Sequence, residues 1–350
     1  MAGVPEVTPD RPHTDPSPAR PGLPEGIVVM VTGATGFVGS HVVAGLTSGG
    51  IDVVAVSRNL EDQDNVVPTP PVRSVAGDLT DPGFVHELIG STRPDIVLHL
   101  AAVTRPDRTE VAVAGSSGLG GYGGTLQATS NLVEALIATS PTTRLVLLSS
   151  SAVYGQPASL PIDEQAEVRP VTAYGVSKAA QELVARRAHW AGALQVVVLR
   201  AFNLIGPGMP DNLLLGNVAL QLIGGADGDH PMLEVGNLES RRDYLDVRDV
   251  AAALITVAAH PDPPDLANVA SGYSWSGKEV VHKMVAIGGR AVEIRQTSAR
   301  RQANDVLEQI GNADLLRDTV GWAPRLDIDR SLRDMLQTGT PTRDERSTCS

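Results

Sequence analysis

Cysteine is almost missing from this chain. Cys349 is the single one, in a polar C-terminal stretch, which excludes internal disulfides and cysteine-rich metal sites and fits a reducing compartment such as the cytoplasm. Aromatic residues make up only 3%, so the core must be built from Val, Leu, Ile and Ala. Positive charge is in deficit: 28 Lys and Arg against 40 Asp and Glu leave a formal net charge of -12. That argues against a nucleic-acid partner, which would need a basic face to neutralise phosphates. No apolar run approaches membrane-spanning length, so a membrane role has no support. Neither the histidines nor the carboxylates show metal-ligand spacing, and no metal is expected.

What is present is length and apolar content. A chain of 350 residues, 42% of them hydrophobic, can bury a sizeable core, with one large domain and a smaller one as the expectation. Residues 1–26 hold seven prolines, no apolar periodicity and no hydrophobic core of a secretory signal, and read as a disordered leader. From Ile27 onward short apolar runs alternate with helical patterns. The runs Ile27–Val31, Ile51–Val56, Val72–Val75, Ile96–Leu100, Leu145–Leu148 and Val196–Leu199 read as strands buried on both faces. Such alternation implies an α/β fold with a Rossmann-type doubly wound parallel sheet. The expected divisions are a dinucleotide-binding domain over 27–200, with 241–262 packing back on it. A smaller C-terminal α/β substrate domain takes most of 201–338, and a flexible tail follows over 339–350. Gly115–Gly124, with six glycines in ten residues, reads as a surface loop.

The run from Ile27 to Val43 organises the rest. A β-branched strand leads into Thr32-Gly33-Ala34-Thr35-Gly36-Phe37-Val38-Gly39, after which Val38, Val42, Val43 and Leu46 recur at helical spacing. Gly33 permits the tight turn, Gly36 lets the backbone approach a pyrophosphate, and Gly39 allows close packing of helix on strand. The phosphates would sit at the helix N-terminus, where unpaired N–H groups and the helix dipole favour an anion. Further on, the second strand ends in Ser57-Arg58, and no carboxylate follows before Glu61. An acidic residue there would bind the ribose hydroxyls of NAD, whereas a small residue followed by Arg accommodates the extra phosphate of NADP. NADP(H) is therefore favoured, and NAD(H) stays open. Asp78, after the third strand, suits either an adenine contact or a turn.

The chemistry-bearing residues lie later. The strand Leu145–Leu148 ends in Ser149-Ser150-Ser151-Ala152-Val153-Tyr154-Gly155, at the carboxyl edge where open α/β sheets bind ligands. Tyr174 and Lys178 are four residues apart on one helix face. An adjacent ammonium favours a phenolate, so Lys178 is expected to lower the Tyr174 pKa. Tyr174 then serves as general acid or base, Lys178 also holds the cofactor ribose, and Ser150 polarises the reacting carbonyl. His99, ending a strand, reads as a packed, hydrogen-bonded histidine.

Taken together, TGATGFVG, GDL at Gly77, HLAA at His99, SSSAVYG at Ser149 and YGVSK at Tyr174 resemble the extended short-chain dehydrogenase/reductase family, of the NAD-dependent epimerase/dehydratase type, which acts on nucleotide sugars. The resemblance runs from residue 27 to about 337. RAFNLIGPG at Arg200, VGNLESRRDYLDVRDV at Val235, NVASG at Asn268 and GWAP at Gly321 are most similar to reductases of GDP- and dTDP-linked 4-keto-6-deoxyhexoses. It implies that Thr35, Phe37, Val38, Leu79, Leu100, Ala101 and Ala102 line the cofactor. It also implies that Thr104, Ser151, Asn203 and Asn212 lie by the substrate, that Arg242 grips the diphosphate, and that the chain forms a homodimer.

Departures narrow the reading. Ser151 and Ala152 stand where 4,6-dehydratases carry an Asp-Glu pair, which removes the acid and base of elimination. Ser57 replaces the acidic residue usual in 4-epimerases, Thr125 stands where an Asn is common, and Arg301-Gln302 where Arg-Pro is. The expectation is a cytoplasmic NADP(H)-dependent reductase of the C4 ketone of a nucleotide-linked 4-keto-6-deoxyhexose, a dehydrogenase in reverse, serving deoxysugar biosynthesis. The alternatives are an NAD-dependent nucleotide-sugar 4-epimerase and, from another class, a non-catalytic nucleotide-sensing protein on the same fold.

Overall fold

The computed structural model describes residues 22–59, 72–102, 122–224, 232–289, 292–296 and 306–338. Most of the leader, the 339–350 tail, Thr104, Arg301-Gln302 and most of the glycine-rich stretch lie outside the described residues. In chain order the elements begin with β1 (Val28–Thr32), α1 (Phe37–Ser48), β2 (Asp52–Ser57), β3 (Val72–Ala76), α2 (Pro82–Thr92) and β4 (Ile96–His99). Next come α3 (Gly123–Thr139), β5 (Arg144–Ser150), α4 (Ala173–Trp190), β6 (Gln195–Ala201), β7 (Asn203–Ile205), α5 (Leu214–Gly224), β8 (Met232–Val235) and β9 (Arg241–Asp246). The chain closes with α6 (Val247–Ala259), β10 (Leu266–Val269), β11 (Ser274–Ser276), α7 (Gly277–Gly288), β12 (Glu293–Gln296), β13 (Glu308–Gln309), α8 (Asp314–Val320) and α9 (Ile328–Thr338).

Seven strands pair in parallel in the order β10-β6-β5-β4-β1-β2-β3. This is the doubly wound order, reversing direction at β1 and β4, where such sheets open a crevice for ligands. Two apolar layers cover the sheet. On one face Val42, Val43 and Leu46 of α1 and Val250, Leu254 and Val257 of α6 pack against Val29, Val31, Val146 and Val197. On the other, Val85 and Ile89 of α2 and Leu132 and Leu136 of α3 pack against Met30, Val97, Leu145 and Val198. Alternate residues of each strand serve opposite layers, which is why the central strands read as unbroken apolar runs.

Two features depart from the sequence expectation. β3 is not buried on both faces: it is the edge strand, and Arg73 and Ala76 are exposed. A short polar-punctuated run such as VRSVA suits an edge, where one side has no neighbour. The seventh strand, β10, is recruited from beyond residue 262 and pairs Leu266 with Val198 and Val269 with Ala201.

The second half builds a smaller unit. β9 pairs with β7, β11 and β13, and β8 pairs with β12. Leu215 and Val218 of α5, Leu233 and Val235 of β8, Val280 and Met284 of α7 and Leu332 and Met335 of α9 form its core. The crossover from Ala201 to Asn203 carries the chain directly from the main sheet into this unit, so both meet beside the carboxyl ends of β5 and β6.

Candidate active site

The glycine turn is anchored from both sides. Gly33 N and Ala34 N donate to the Val56 carbonyl at the end of β2, at 2.9 and 3.2 Å, and Leu100 N donates to the Thr32 carbonyl at 3.2 Å. Gly33 has φ of +70°, and a Cβ there would lie 2.9 Å from Ala101 N, so conformation and close approach both require glycine. A Cβ on Gly39 would fall 2.1 Å from the Gly33 carbonyl oxygen. Its close packing is thus against the turn itself rather than along the strand. Gly36 is the N-cap of α1, with no side-chain cap and no acidic residue in the first turn. The helix end is left with bare N–H groups and a positive dipole, which fits a diphosphate. Thr35, Phe37 and Val38 surround this end and are half-buried.

At the tip of β2, Ser57 is nearly buried and its hydroxyl donates to the Asn59 carbonyl at 2.9 Å, while Arg58 is exposed. Asp78 closes a turn by accepting from Thr80 N at 2.9 Å, and the Leu79 carbonyl accepts from Asn131 at 2.9 Å. Leu100, Ala101 and Ala102 follow β4 and are half-buried at the sheet edge.

The three candidate catalytic side chains meet where β5 ends. Ser150 is the last residue of β5, and its hydroxyl caps a single 3-10 turn, Ser151–Val153, by accepting from Ala152 N at 3.2 Å. α4 starts at Thr172, whose hydroxyl accepts from Gly175 N at 3.0 Å. A Cβ on Gly175 would lie 2.5 Å from the Ala152 carbonyl oxygen, so glycine there lets the helix press its first turn against the serine turn. Tyr174 is thereby hydrogen-bonded to Ser150, and its ring lies 5.9 Å from that of Tyr122 at the start of α3. Burial raises the Tyr174 pKa above that of a free phenol, and the Ser150 bond works against this. The expected lowering by Lys178 is therefore reversed in this arrangement. The reason is that Lys178 points inward: it is 4% exposed and donates to the Leu148 carbonyl at 2.8 Å and to Gln181 Oε1 at 3.0 Å. Burial brings its own pKa down to about 8, with Glu182 opposing.

His99 is a packed residue, 1% exposed, bonded through Nδ1 to Thr32 at 2.7 Å and through Nε2 to Thr129 at 2.9 Å. Burial and the neighbouring Lys178 hold its pKa at about 3, so the ring is neutral.

The substrate-side residues are only partly brought together. Asn203 on β7 pairs in register with Tyr244 of β9, two residues from Arg242 on the same strand, and both are half-buried. Arg242 donates to the Arg241 carbonyl at 2.8 Å and is flanked by Trp275 of β11 and Gln309 of β13. Asn212 is exposed in the loop before α5. Ser151, expected beside the substrate, is turned inward instead: it is 3% exposed and its hydroxyl donates to Gln309 Oε1 at 3.4 Å. Gln309 also donates to the Ser151 and Gly155 carbonyls, both at 3.3 Å, tying the serine turn to the strand beside Arg242.

Residues that sequence reasoning passed over include Tyr122, Gln309, Gln181 and the pair Glu182–Arg200. Gln181 and Glu182 on α4 carried a signal: Tyr174, Lys178, Gln181 and Glu182 are spaced four, three and one apart, a polar run on one helix side. Glu182 and Arg200 are each 3% exposed at the side chain and meet in a fork, with Nη2 to Oε2 at 2.6 Å and Nε to Oε1 at 2.9 Å.

A doubly wound sheet with a bare helix N-terminus at its switch point, and a Ser, Tyr and Lys gathered on the neighbouring strand end, defines a nicotinamide-dependent enzyme. The chain belongs to the NAD dependent epimerase/dehydratase family, whose model matches residues 29–270. It is 32% identical to the GDP-6-deoxy-D-mannose reductase of Pseudomonas aeruginosa, over 88% of this chain and 95% of that one. It is 30% identical to the dTDP-6-deoxy-L-talose 4-dehydrogenase (NAD(P)(+)) of Kitasatospora kifunensis, over 93% and 96% of the two chains. The solved structure of RMD from Pseudomonas aeruginosa complexed with NADPH superposes with a TM-score of 0.72 at 30% identity, covering 89% of this chain and 98% of that one.

Proposed function

We propose that this enzyme reduces the C4 ketone of a nucleotide-linked 4-keto-6-deoxyhexose, and in reverse oxidises the 4-hydroxyl, in deoxysugar biosynthesis. The observation that carries the reading is the Ser150–Tyr174 hydrogen bond at the sheet's carboxyl edge, with Lys178 one turn further along the same helix and bonded to the β5 backbone. The similarity to a GDP-6-deoxy-D-mannose reductase and to a dTDP-6-deoxy-L-talose 4-dehydrogenase supports it.

The cofactor is held by this chain's own groups. The bare first turn of α1 takes the diphosphate, the Gly33 turn and Leu100–Ala102 wall the crevice, and Lys178 reaches the nicotinamide ribose. When bound, the nicotinamide supplies the hydride. Ser150 donates a hydrogen bond to the carbonyl oxygen, and Tyr174 gives that oxygen its proton and is left a phenolate. A phenol whose pKa is raised by burial holds its proton until a basic oxygen arrives, which suits the reductive direction. Arg242 and Asn203 hold the nucleotide diphosphate, dTDP or GDP, beside this edge, since a guanidinium fork matches two phosphate oxygens.

NADP(H) is the preferred cofactor in this reading, because exposed Arg58 follows a small residue at the tip of β2 and no carboxylate stands there. In this reading the enzyme works in the cytoplasm as a homodimer, as the family resemblance implies; separately, no helix among the described residues is long and apolar enough to cross a membrane. Val176, Leu183 and Trp190, seven apart on α4, are 40%, 59% and 61% exposed, an apolar strip suited to a second copy.

The test is nicotinamide absorbance with purified protein, NADPH or NADH, and enzymatically generated dTDP- and GDP-4-keto-6-deoxyhexoses. Oxidation with one of these sugars, faster with NADPH and reduced about 10²–10⁴-fold in Tyr174→Phe, is expected. A UDP-glucose 4-epimerase from Azospirillum brasilense is also 29% identical, which gives the second reading. No oxidation with any keto sugar, together with NAD released on denaturation, would turn the assignment to a 4-epimerase.

A further inference from the structure

Lys178 does not stand alone behind Tyr174. Gln181, one turn further along α4, is 0% exposed, and both ends of its amide are committed. Its Oε1 accepts from Lys178 Nζ at 3.0 Å, and its Nε2 donates to Thr129 Oγ1 of α3 at 2.7 Å. Thr129 Oγ1 donates onward to the Thr125 carbonyl at 3.0 Å, so toward its other neighbours it is an acceptor. His99 Nε2 lies 2.9 Å from this hydroxyl and 3.5 Å from Gln181 Nε2, and its Nδ1 pairs with Thr32 at 2.7 Å. The line therefore has a direction. With Gln181 Nε2 donating to Thr129, the amide cannot turn over without aiming its donors at an ammonium and leaving Thr129 short of one.

We infer that Gln181 is a positioning residue for the reaction, holding the Lys178 ammonium charged and aimed along β5 through the buried line Lys178–Gln181–Thr129–His99–Thr32. The inference rests on the reductase reading for its catalytic meaning, and its geometry stands without it. A fully enclosed lysine is driven toward its neutral form, and it keeps its charge only where acceptors surround it. Around Lys178 those acceptors are the Leu148 carbonyl and Gln181 Oε1. The titratable groups that face it are few. On α4 itself they are Tyr174 and Glu182, the latter paired with Arg200 of β6. From β4 comes His99, kept neutral by burial and by the Lys178 charge, and from the start of α3 comes Tyr122, against the Tyr174 ring. A neutral amide acceptor is suited to this position because it supports the ammonium without replacing the Glu182–Arg200 pair beside it.

Two substitutions of nearly equal volume separate positioning from packing. Gln181→Met removes the acceptor, and Gln181→Glu makes it anionic. In free protein labelled with ¹³Cε-lysine, with the Lys178 signal assigned by its loss in Lys178→Met, the Lys178 titration midpoint is expected to fall by about one pH unit or more in Gln181→Met. It is expected to rise by a similar amount in Gln181→Glu. The alkaline limb of kcat for keto-sugar reduction should move in the same two directions, whereas a packing defect would lower activity without moving the limb oppositely. If Gln181→Met does not fold, Thr129→Val, which frees the amide to turn, is expected to lower the midpoint as well. An unchanged Lys178 midpoint in folded Gln181→Glu, or in folded Gln181→Met or Thr129→Val, overturns the inference. Shifted midpoints in a protein that reduces no keto sugar uphold the positioning role and overturn the reductase reading instead.

Discussion

Replacing Arg200 by Met tests how the catalytic helix is fixed to the sheet. Arg200 projects from β6 into a site where it is 2% exposed, forks onto Glu182 of α4, and lies with its guanidinium carbon 4.8 Å over the ring of Tyr154. Ser149 donates to the same carboxylate from β5, so three elements share one buried charge pair. The pair holds the Arg200 pKa above its usual value despite the cost of burial. A group raised in this way contributes stability at every pH below its unfolded value, which for arginine covers the whole neutral range. Removing one partner of a buried pair leaves the other charge unmet and costs about 3–5 kcal/mol. At roughly 2 °C per kcal/mol for a chain of this size, the thermal midpoint is expected to fall by about 6–10 °C. The double variant Glu182→Gln with Arg200→Met removes both charges while keeping an acceptor for Ser149, and should recover most of that loss. Thermal unfolding and urea titration of the two single variants and the double variant give the coupling energy directly. A loss under about 1 kcal/mol in Arg200→Met, or strictly additive single effects, would refute the assignment of this pair as a structural tie.

On the proposed reading, in which the serine acts on the oxyanion rather than on the cofactor, Ser150→Ala should lower kcat for keto-sugar reduction by about 10²–10³-fold with little change in NADPH affinity measured by fluorescence. Arg58→Ala should weaken NADPH binding by about tenfold or more, the worth of a charge-assisted hydrogen bond of ~1.5–3 kcal/mol, and leave NADH binding unchanged. Equal losses for both nucleotides would remove Arg58 from the phosphate site. Asp249 of α6 accepts from Arg325 N and Leu326 N at 3.0 and 2.9 Å, and burial, aided by Asp246, pushes its pKa up to about 6. A raised carboxyl favours folding when protonated, so its contribution is full below the unfolded value near ~4 and is lost as pH rises through about 6. Relative to Asp249→Asn, which keeps an acceptor without the charge, the native protein should therefore lose stability to urea between about pH 4 and pH 6.

Much of this molecule is written in local stretches of chain. The unbroken apolar runs of β1, β2, β4, β5 and β6 could be read directly, since a parallel strand covered on both faces admits little else. The glycine turn was legible because each glycine answers to atoms within a few residues or at the end of the adjoining strand. Tyr174 and Lys178 were legible as a pair because four residues bring side chains to one helix face. Other features rest on contacts between residues far apart in sequence, which no local pattern encodes. VRSVA became an edge strand only because the sheet ends there, and LANV joined the sheet only because its partner is β6. The inward turn of Ser151 depends on Gln309, 158 residues away. The sign of the Tyr174 shift was likewise decided in three dimensions. Sequence places an ammonium one turn away, but burial and the Leu148 and Gln181 acceptors determine where that ammonium points and how strongly the phenol is dehydrated. Sequence alone therefore determined the class of fold and the placing of Tyr174 and Lys178 on one helix face, because both follow from short-range periodicity. Tertiary structure decided their electrostatics, because desolvation and hydrogen-bond partners exist only once distant segments are packed together.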